Sequence, residues 1–313
     1  MRYLKDYHDG DKASGIYMVK SKTSGVSKNG KPFENVTLQD KSGTIDCKIW
    51  DINDPGIDEF DKLDYVEIKG EITSFNNALQ LNIRRARKAH EGEYDPADYM
   101  PVSSRNIDEM YSELNALIES IQNPSYKALL KAFFIEDEDF VKRFKKSSAA
   151  KSVHHGFVGG LLEHTLSVTK MCDYYSKAYP FLKRDLLLTA AMCHDIGKIY
   201  ELSAFPENDY TDEGNLLGHI VMGSNMVGKK AAKVEGFSKS DLLQLQHCIL
   251  AHHGKLEFGS PKTPALVEAL ALSYADDTDA KMETFKEILE NNSGNPGWFG
   301  FQKFLDGNVR ATR

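Results

Sequence analysis

The stretch that decides the fold of the larger part of this chain is His194-Asp195-Ile196-Gly197-Lys198. It follows an apolar run, Leu186 to Met192, that predicts a buried helix ending at the histidine. An imidazole and a carboxylate side by side at a helix end can converge on one ion, since the glycine frees the backbone to turn. The stretch therefore predicts a metal site at the end of a helix.

Histidines are concentrated around this pair, since eight of the ten lie between positions 154 and 253. Histidine is the commonest metal ligand and the usual acid or base near neutral pH. The ligand-type side chains expected on separate helices are His164, His194, Asp195, His219, His252, His253 and one of Asp276 and Asp277. A site in the core of a helical bundle is built in this way. Imidazole and carboxylate without cysteine favour Mn, Fe, Co, Ni or Zn over Mg or Ca, which prefer oxygen ligands.

Helical periodicity fills the chain around the histidines. Apolar residues recur at helical spacing from Ile107 to Ile121, until Asn123-Pro124 breaks the run. Further helices are predicted at about 125–134, 137–145, 160–178, 184–194, 215–233, 239–252 and 264–290. Residues 106–313 are therefore predicted to form an all-helical domain, with an aromatic C-terminal tail to which the pattern assigns no structure.

The first 90 residues alternate with a period of two instead. In the run from Thr44 to Trp50, Ile45, Cys47 and Ile49 alternate with polar residues, which predicts a half-buried strand. Similar runs predict strands near 16–22, 36–38, 66–72 and 79–83. Five short antiparallel strands are typical of a Greek-key barrel of the OB type, which binds oligonucleotides on the face of strands 2 and 3. The prediction is a multidomain α+β chain, with an OB-type barrel (1–90), a linker (91–105) and the helical domain (106–313).

The barrel carries candidates for nucleic-acid binding. Phe33 and Trp50 share the alternation phase of the polar residues, so both rings are expected on the outer face, where bases could stack. Cations that could meet phosphates are Lys28, Lys31 and Arg84, with Arg85, Arg87 and Lys88 beside the last. The alternative is that the two rings pack in the fold and that the basic run is a solvated face.

Charge and composition limit the class of protein. The net charge is −7, divided between +1 for residues 1–90 and −8 for the rest, so the charge distribution weakly favours nucleic-acid binding by the first part. No apolar run is long enough to span a bilayer, and the N-terminal residues lack the apolar core of a signal peptide. The four isolated cysteines fit free thiols in a reducing compartment. These features predict a cytoplasmic protein without a membrane partner.

The ordered string of histidines and aspartates resembles the HD-domain metallophosphohydrolase superfamily. Within it, the OB-type barrel and a set of short motifs make the chain similar to the YhaM family of bacterial 3′–5′ exoribonucleases. The motifs are Gly-Gly-Leu-Leu-Glu-His-Thr (159–165), His-Asp-Ile-Gly-Lys (194–198), Gly-His-Ile (218–220), Ala-His-His-Gly (251–254) and Gly-Ser-Pro (259–261). The resemblance covers about residues 15–290.

The resemblance implies a site for two divalent transition-metal ions, with manganese favoured and Co, Fe, Ni or Zn as alternatives. One ion would be held by His164, His194, Asp195 and Asp276, the other by Asp195, His219, His252 and His253, with Asp195 shared. Asp276 is preferred to Asp277 because Asp279 then matches the next aspartate of the family. Asp195 and Lys198 are the expected catalytic residues, Lys198 through a phosphate oxygen. His154 and His155 have no ligand role and are candidates for substrate contact.

The predicted function is metal-dependent 3′–5′ trimming of single-stranded RNA, or also of single-stranded DNA, to nucleoside 5′-monophosphates. Two alternatives stay open: an HD-type phosphodiesterase for cyclic nucleotides or dinucleotides, and a single-stranded nucleic-acid binding accessory with a vestigial site. The sequence leaves the oligomeric state open.

Overall fold

The computed structural model describes residues 2–27, 29–75, 78–151, 155–292 and 297–312. The chain divides into two compact units, Met1–Val102 with Phe205–Glu207, and Ser103–Ala204 with Asn208–Arg313. Within the described ranges, no helix combines the length and the apolar character needed to cross a membrane.

The first unit is built on a closed five-stranded barrel. Its strands are β1 (Lys12–Val26), β2 (Pro32–Asp40), β3 (Gly43–Ile49), β4 (Tyr65–Phe75) and β5 (Ala78–Lys88). The strands follow one another around the barrel in the order β1-β2-β3-β5-β4, with β3 and β5 parallel and the other pairs antiparallel. The alternating residues Ile45, Cys47 and Ile49 are buried in the core. The predicted OB-type barrel is confirmed.

A local irregularity exposes one arginine on β5. The pairing of β4 with β5 shifts between Lys69 and Gly70, so Arg84 is an extra residue opposite this step. A side chain at Gly70 would clash there, because its Cβ would lie 2.4 Å from the carbonyl oxygen of Asn82. The bulge leaves the Arg84 side chain exposed on the barrel.

The segment predicted to be a linker begins as part of the barrel unit. It contains a 3₁₀ helix, Pro96–Tyr99, and the Tyr99 side chain is buried. Gln39 Nε2 donates to the Tyr99 carbonyl at 2.9 Å, and Tyr94 stacks on Tyr65 with ring centroids 3.8 Å apart. Residues 94–99 are therefore held against the strands.

The second unit is a helical bundle. Its helices are α1 (Ile107–Glu119), α2 (Pro124–Phe134), α3 (Glu138–Phe144), α4 (Gly160–Ala178), α5 (Arg184–Cys193), α6 (Lys198–Glu201), α7 (Asp212–Ala231), α8 (Lys239–Leu250) and α9 (Val267–Asn291). Side chains cap several N-termini, as Asn106 does for α1 and Asn123 for α2. Residues 186–193 of α5 are all buried, so this helix runs through the core. All the helices expected from periodicity are present, and the short α6 is an addition.

The C-terminal tail is not helical. Strands β6 (Trp298–Gln302) and β7 (Gly307–Arg310) form an antiparallel hairpin in the tail to which the sequence pattern assigned no structure. Val309 is buried, and the Arg310 guanidinium lies 5.7 Å from the Trp298 ring centroid. The aromatic residues of this segment are of types enriched in strands.

Candidate metal centre

The predicted ligands come from five helices that meet in the core of the bundle. His164 lies on α4, His219 on α7 and Asp276 on α9, while His194 and Asp195 follow α5 directly. His252 and His253 stand in the turn after α8. Burial of these elements places side chains that are more than a hundred positions apart in one cluster.

Asp195 is at the middle of the cluster, and its two oxygens face different histidines. Oδ2 lies 3.4 Å from Nε2 of both His164 and His194. Oδ1 lies 3.4 Å from His219 Nε2 and 3.7 Å from His252 Nε2. Ligands about 2.1 Å from a common ion stand roughly 3 to 4 Å from one another. The spacing on both sides of Asp195 therefore fits a metal ion.

Two further residues complete the two sides. Asp276 Oδ1 lies 3.1 Å from His164 Nε2 and 3.8 Å from His194 Nε2. His253 stands with His219 and His252 in a group whose ligand atoms are all within 4.8 Å of one another. The described residues form four groups of three donors that could hold a metal ion, and three of these groups lie on the two sides of Asp195 or include it.

The outer nitrogen of each histidine already has an acceptor. Nδ1 of His194 and of His252 each lies 2.7 Å from a backbone carbonyl oxygen, that of Ala191 and of Ile249 respectively. His253 Nδ1 donates to the carbonyl of Phe258 at 2.8 Å. Such bonds place the proton on Nδ1 and leave the lone pair on Nε2, the form that binds metals.

Several atoms that face the cluster have no protein partner. Nε2 of His219 and of His252 and Oδ1 of Asp195 are buried without a hydrogen bond among the described residues. Burying a polar atom unpaired costs about 1–3 kcal/mol, so such atoms are rare unless a ligand satisfies them. These orphaned atoms and the nitrogen–oxygen donor set fit divalent transition-metal ions.

Two carboxylates support the ligand histidines from behind. Asp279 Oδ2 accepts from His164 Nδ1 at 2.7 Å and lies 2.9 Å from Nε2 of the buried His155. Glu201 Oε1 accepts from both the ring Nδ1 and the backbone N–H of His219, each at 2.9 Å. Glu201, which lies on α6, was missed in the sequence because nothing in its spacing relates it to His219.

Gly197 has a different function from the one expected. Its backbone is ordinary right-handed helix, so the glycine is not needed for a turn. A Cβ at Gly197 would lie 2.0 Å from the carbonyl oxygen of His219. Gly218, in contrast, has φ +72° and breaks α7 just before that histidine. The two glycines therefore bring the backbone of His219 against the segment that carries Asp195.

Burial and charged neighbours hold two of the donors, Asp195 and His252, in their metal-binding forms, whereas hydrogen bonds to Asp195, Asp276 and Asp279 outweigh burial and raise the pKa of His164. Burial raises the pKa of Asp195, but Lys198 and His194 outweigh it and hold that pKa well below the usual range. Burial, with His253 and His194, holds the pKa of His252 well below its usual value. A carboxylate and a neutral imidazole are the states that bind metals at neutral pH. Lys198 Nζ lies 2.7 Å from Asp195 Oδ2, so the predicted phosphate contact is also an ion-pair partner.

A cleft of about 930 Å³ opens over the cluster. Its floor includes His164, His219, His252, His253 and Asp276. The tip of the C-terminal hairpin, residues 303–306, lines the same cleft. The cleft has the size of a small-molecule or nucleotide site.

On the barrel, the predicted aromatic residues lie together. The ring centroids of Phe33 and Trp50 are 5.2 Å apart, and Trp50 is 53% exposed. Lys48 Nζ lies 5.0 Å from the Phe33 centroid, and Trp50 Nε1 donates to Asn82 Oδ1 at 2.9 Å. The Phe33 ring covers Gly25, where a Cβ would lie 2.7 Å from the ring. The outer face of β2 and β3 thus presents an aromatic surface beside a cation.

The basic residues of the barrel divide into two kinds. Arg87 pairs with Glu67 at 2.8 Å and with Glu93 at 2.9 Å, and Lys88 pairs with Asp64 at 2.8 Å. In contrast, Lys31 and Arg84 are exposed and have no ion pair in the part of the chain that the structure describes. Lys28 and, in the helical unit, His154 lie outside the described residues.

Comparison with known proteins shows to which family the chain is related. Residues 161–281 match the HD domain and residues 18–89 match the OB-fold nucleic acid binding domain. The 3′-5′ exoribonuclease YhaM of Geobacillus sp. (strain WCH70) is 36% identical over 287 residues, which is 91% of this chain and 87% of that protein. The chain belongs to the YhaM family. The predicted resemblance is thereby confirmed.

Two solved structures of OB-fold proteins are each similar to less than a third of this YhaM-family chain. The second OB-fold domain of replication protein A from Methanococcus maripaludis covers 29% of the chain and 96% of itself, at 16% identity and a TM-score of 0.24. A replication protein A heterotrimer bound to ssDNA covers 28% of the chain and 64% of its own, at 19% identity and a TM-score of 0.21.

The structure also separates neighbours that the sequence left ambiguous. Of the adjacent carboxylates on α9, Asp276 faces the cluster, whereas Asp277 pairs with Lys281 at 2.7 Å on the surface. Glu163, which precedes the candidate ligand His164, accepts from Ser103 Oγ at 2.5 Å. In this YhaM-family chain, adjacent residues of α9 point about 100° apart around the helix axis, so only one of the two carboxylates reaches the cluster.

Proposed function

We propose that this chain is a metal-dependent 3′–5′ exoribonuclease, in which the barrel captures single-stranded RNA and the helical unit cleaves its terminal phosphodiester. The observation that carries the proposal is the central carboxylate of Asp195, which turns one oxygen to each of two donor groups. A bridging carboxylate between two ions is the arrangement that hydrolytic two-metal sites use. The related protein from Geobacillus is named a 3′-5′ exoribonuclease, which supports the same activity here.

The proposal assigns two divalent ions to the cluster. His164, His194, Asp195 and Asp276 would hold the first, and Asp195, His219, His252 and His253 the second. The absence of thiolate and the presence of five imidazoles favour Mn, Fe, Co, Ni or Zn, and we propose Mn. Bound ions of this kind lower the pKa of a water molecule and stabilise the charge that develops on the phosphoryl oxygens.

The residues of the chain set up that chemistry. Asp195 remains ionised because Lys198 and the histidines compensate for its burial. Lys198 has its Nζ beside Asp195 and lines the cleft, where it can meet a phosphate oxygen of the substrate. Hydrolysis would break the bond between phosphorus and the 3′-oxygen, releasing a nucleoside 5′-monophosphate and a new 3′-hydroxyl.

The barrel supplies the capture surface in this proposal. Phe33 and Trp50 would stack on successive bases, and Lys31 and Arg84, with the predicted Lys28, would meet phosphates. Stacking tolerates every base, which suits an enzyme that trims many sequences and could act on single-stranded DNA as well. Four buried free cysteines support a location in the reducing cytoplasm.

A time course on 5′-labelled oligonucleotides tests the proposal. Single-stranded RNA and the same sequence as DNA are incubated with the protein and Mn²⁺, or with a chelator. We expect products that shorten from the 3′ end when Mn²⁺ is present and no shortening with the chelator. The ratio of the RNA and DNA rates gives the preference between the two nucleic acids.

The alternatives make different predictions in the same assay. Turnover of cyclic mononucleotides or dinucleotides without shortening of RNA would favour the small-substrate phosphodiesterase. Binding of the oligonucleotide with no hydrolysis, and no metal in the protein by elemental analysis, would favour the binding accessory. Either result would overturn the exonuclease proposal.

A further inference from the structure

The C-terminal hairpin presents its tip to the catalytic cleft. Strands β6 and β7 pair through Phe301 with Asn308 and Gln302 with Gly307, so residues 303–306 form the connection. Asp306 has φ +50°, a left-handed conformation that aspartate tolerates and that closes the turn. Lys303 and Phe304, at the start of this connection, both line the cleft over the metal centre.

Lys303 differs from the other lysines of the cleft. Lys151 pairs with Asp209 at 2.5 Å, Lys198 with Asp195 at 2.7 Å and Lys281 with Asp277 at 2.7 Å. Across the described ranges, no carboxylate lies within 4 Å of Lys303, which is exposed. Its positive charge is therefore available to an anion that enters the cleft.

Phe304, the next residue in the chain, adds an aromatic ring to the lining of the same cleft. The ring is 48% exposed although it lines a cleft that reaches buried ligands. An exposed ring next to a lysine and a phosphate-cleaving centre has the composition of a nucleotide subsite, in which a base stacks and a phosphate meets a cation.

We infer that the hairpin tip forms a subsite for the terminal nucleotide, with Phe304 stacking on its base and Lys303 contacting its phosphate. The inference rests on the proposed function, because the nucleotide in question is the one that hydrolysis releases. It gives the C-terminal segment a substrate-binding function and makes the recognition independent of base identity.

Binding of small ligands tests the subsite without requiring catalysis. The full chain, loaded with Mn²⁺, is titrated with adenosine 5′-monophosphate and with ribose 5-phosphate, which lacks the base. We expect the nucleotide to bind roughly 5- to 100-fold more tightly than the sugar phosphate in the unchanged protein. Phe304→Ala should abolish this difference, whereas Phe304→Tyr, which keeps an aromatic ring, should retain it. Lys303→Gln should weaken the binding of both ligands by a similar factor.

A matched variant controls for the hairpin itself. Phe301 on β6 is 61% exposed and is not among the residues that line the cleft, so Phe301→Ala should leave both affinities unchanged. An undiminished preference for the nucleotide in Phe304→Ala would overturn the inference. In that case RNA shortening by the unchanged protein would still support the proposed function. The converse result, a preference that depends on Phe304 without RNA shortening, would keep the subsite and remove the exonuclease.

Discussion

The polar groups named on the barrel are paired at its surface, whereas those of the candidate metal centre in the helical unit are buried and partly unpaired. On the barrel, Arg87 and Lys88 are neutralised by surface carboxylates, and Trp50 donates to Asn82. In the helical unit, Asp195, His219 and His252 are turned inward and leave buried atoms unpaired. Exposed residues contribute separately, whereas buried donors that share one ion depend on one another. Loss of one residue on the barrel should therefore weaken RNA binding. Loss of one residue in the candidate metal centre should abolish activity.

The largest effect is expected for Asp195→Asn. This change removes the charge that faces both donor groups, so RNA shortening should fall by about 10³-fold or more. The measurements are the shortening rate with Mn²⁺ and the metal content of the purified protein. Asp139→Asn is the control, since that residue is exposed, does not line the cleft and should retain both. Normal activity in Asp195→Asn would disprove the assignment of the centre.

The next largest effect is expected for Glu201, which supports the candidate metal centre through His219. Glu201→Gln weakens the acceptor that holds both the ring and the backbone of His219. We expect Mn²⁺ affinity to fall by about 10- to 100-fold, with activity recovering at high Mn²⁺. A titration of activity against Mn²⁺ separates this from a folding defect. An unchanged midpoint would mean that Glu201 does not position His219.

On the barrel, a smaller and more graded loss is expected. Phe33→Ala or Trp50→Ala should weaken RNA binding by roughly 5- to 100-fold, since stacking on one base is lost. The rate at saturating RNA should change little, because the metal centre is intact. Fluorescence anisotropy with labelled RNA measures the affinity, and Tyr174→Ala serves as an exposed aromatic control in the helical unit. An unchanged affinity in both barrel variants would assign RNA capture to another surface.

The smallest effect concerns an ion pair that stabilises the bundle. Burial raises the pKa of Asp173, but Lys177 and Arg184 outweigh it, so the pKa lies below the usual value. Because the folded-state pKa is depressed, the stabilisation is present above about pH 4 and is lost as the pH falls through the folded pKa. Asp173→Asn should cost about 1 kcal/mol at pH 7 and less in acid. Urea unfolding of both proteins at pH 7 and pH 3 measures the difference, and an equal cost at both would contradict it.

Much of the fold could be predicted because it depends on local periodicity. Alternation from Thr44 to Trp50 places Ile45 and Ile49 inside a strand, and helical spacing places the apolar residues of α1 and α5 inside the bundle. No secondary structure could be predicted where the sequence lacks periodicity. The tail has bulky aromatics without a repeat, and only its pairing across residues 303–306 defines the hairpin.

The sequence predicted which residues gather in the candidate metal centre, but not the residues that support them. Histidines and aspartates on separate predicted helices identify the candidate ligands, since these residue types are uncommon in a core without a reason. The partners Glu201 and Asp279 are ordinary surface-type residues in the sequence. Their importance comes from packing that brings α6 and α9 against the ligand helices, and no short-range pattern records such contacts.

The sequence by itself determined which residues could do the chemistry and which segments would be strand or helix, because side-chain type and periodicity are local properties. Only the tertiary structure decided that Asp195 turns one oxygen to each donor group, that Gly197 is needed for the approach of His219, and that the hairpin tip lines the cleft. These are contacts between segments distant in the chain, and they are set by how closely the helices pack.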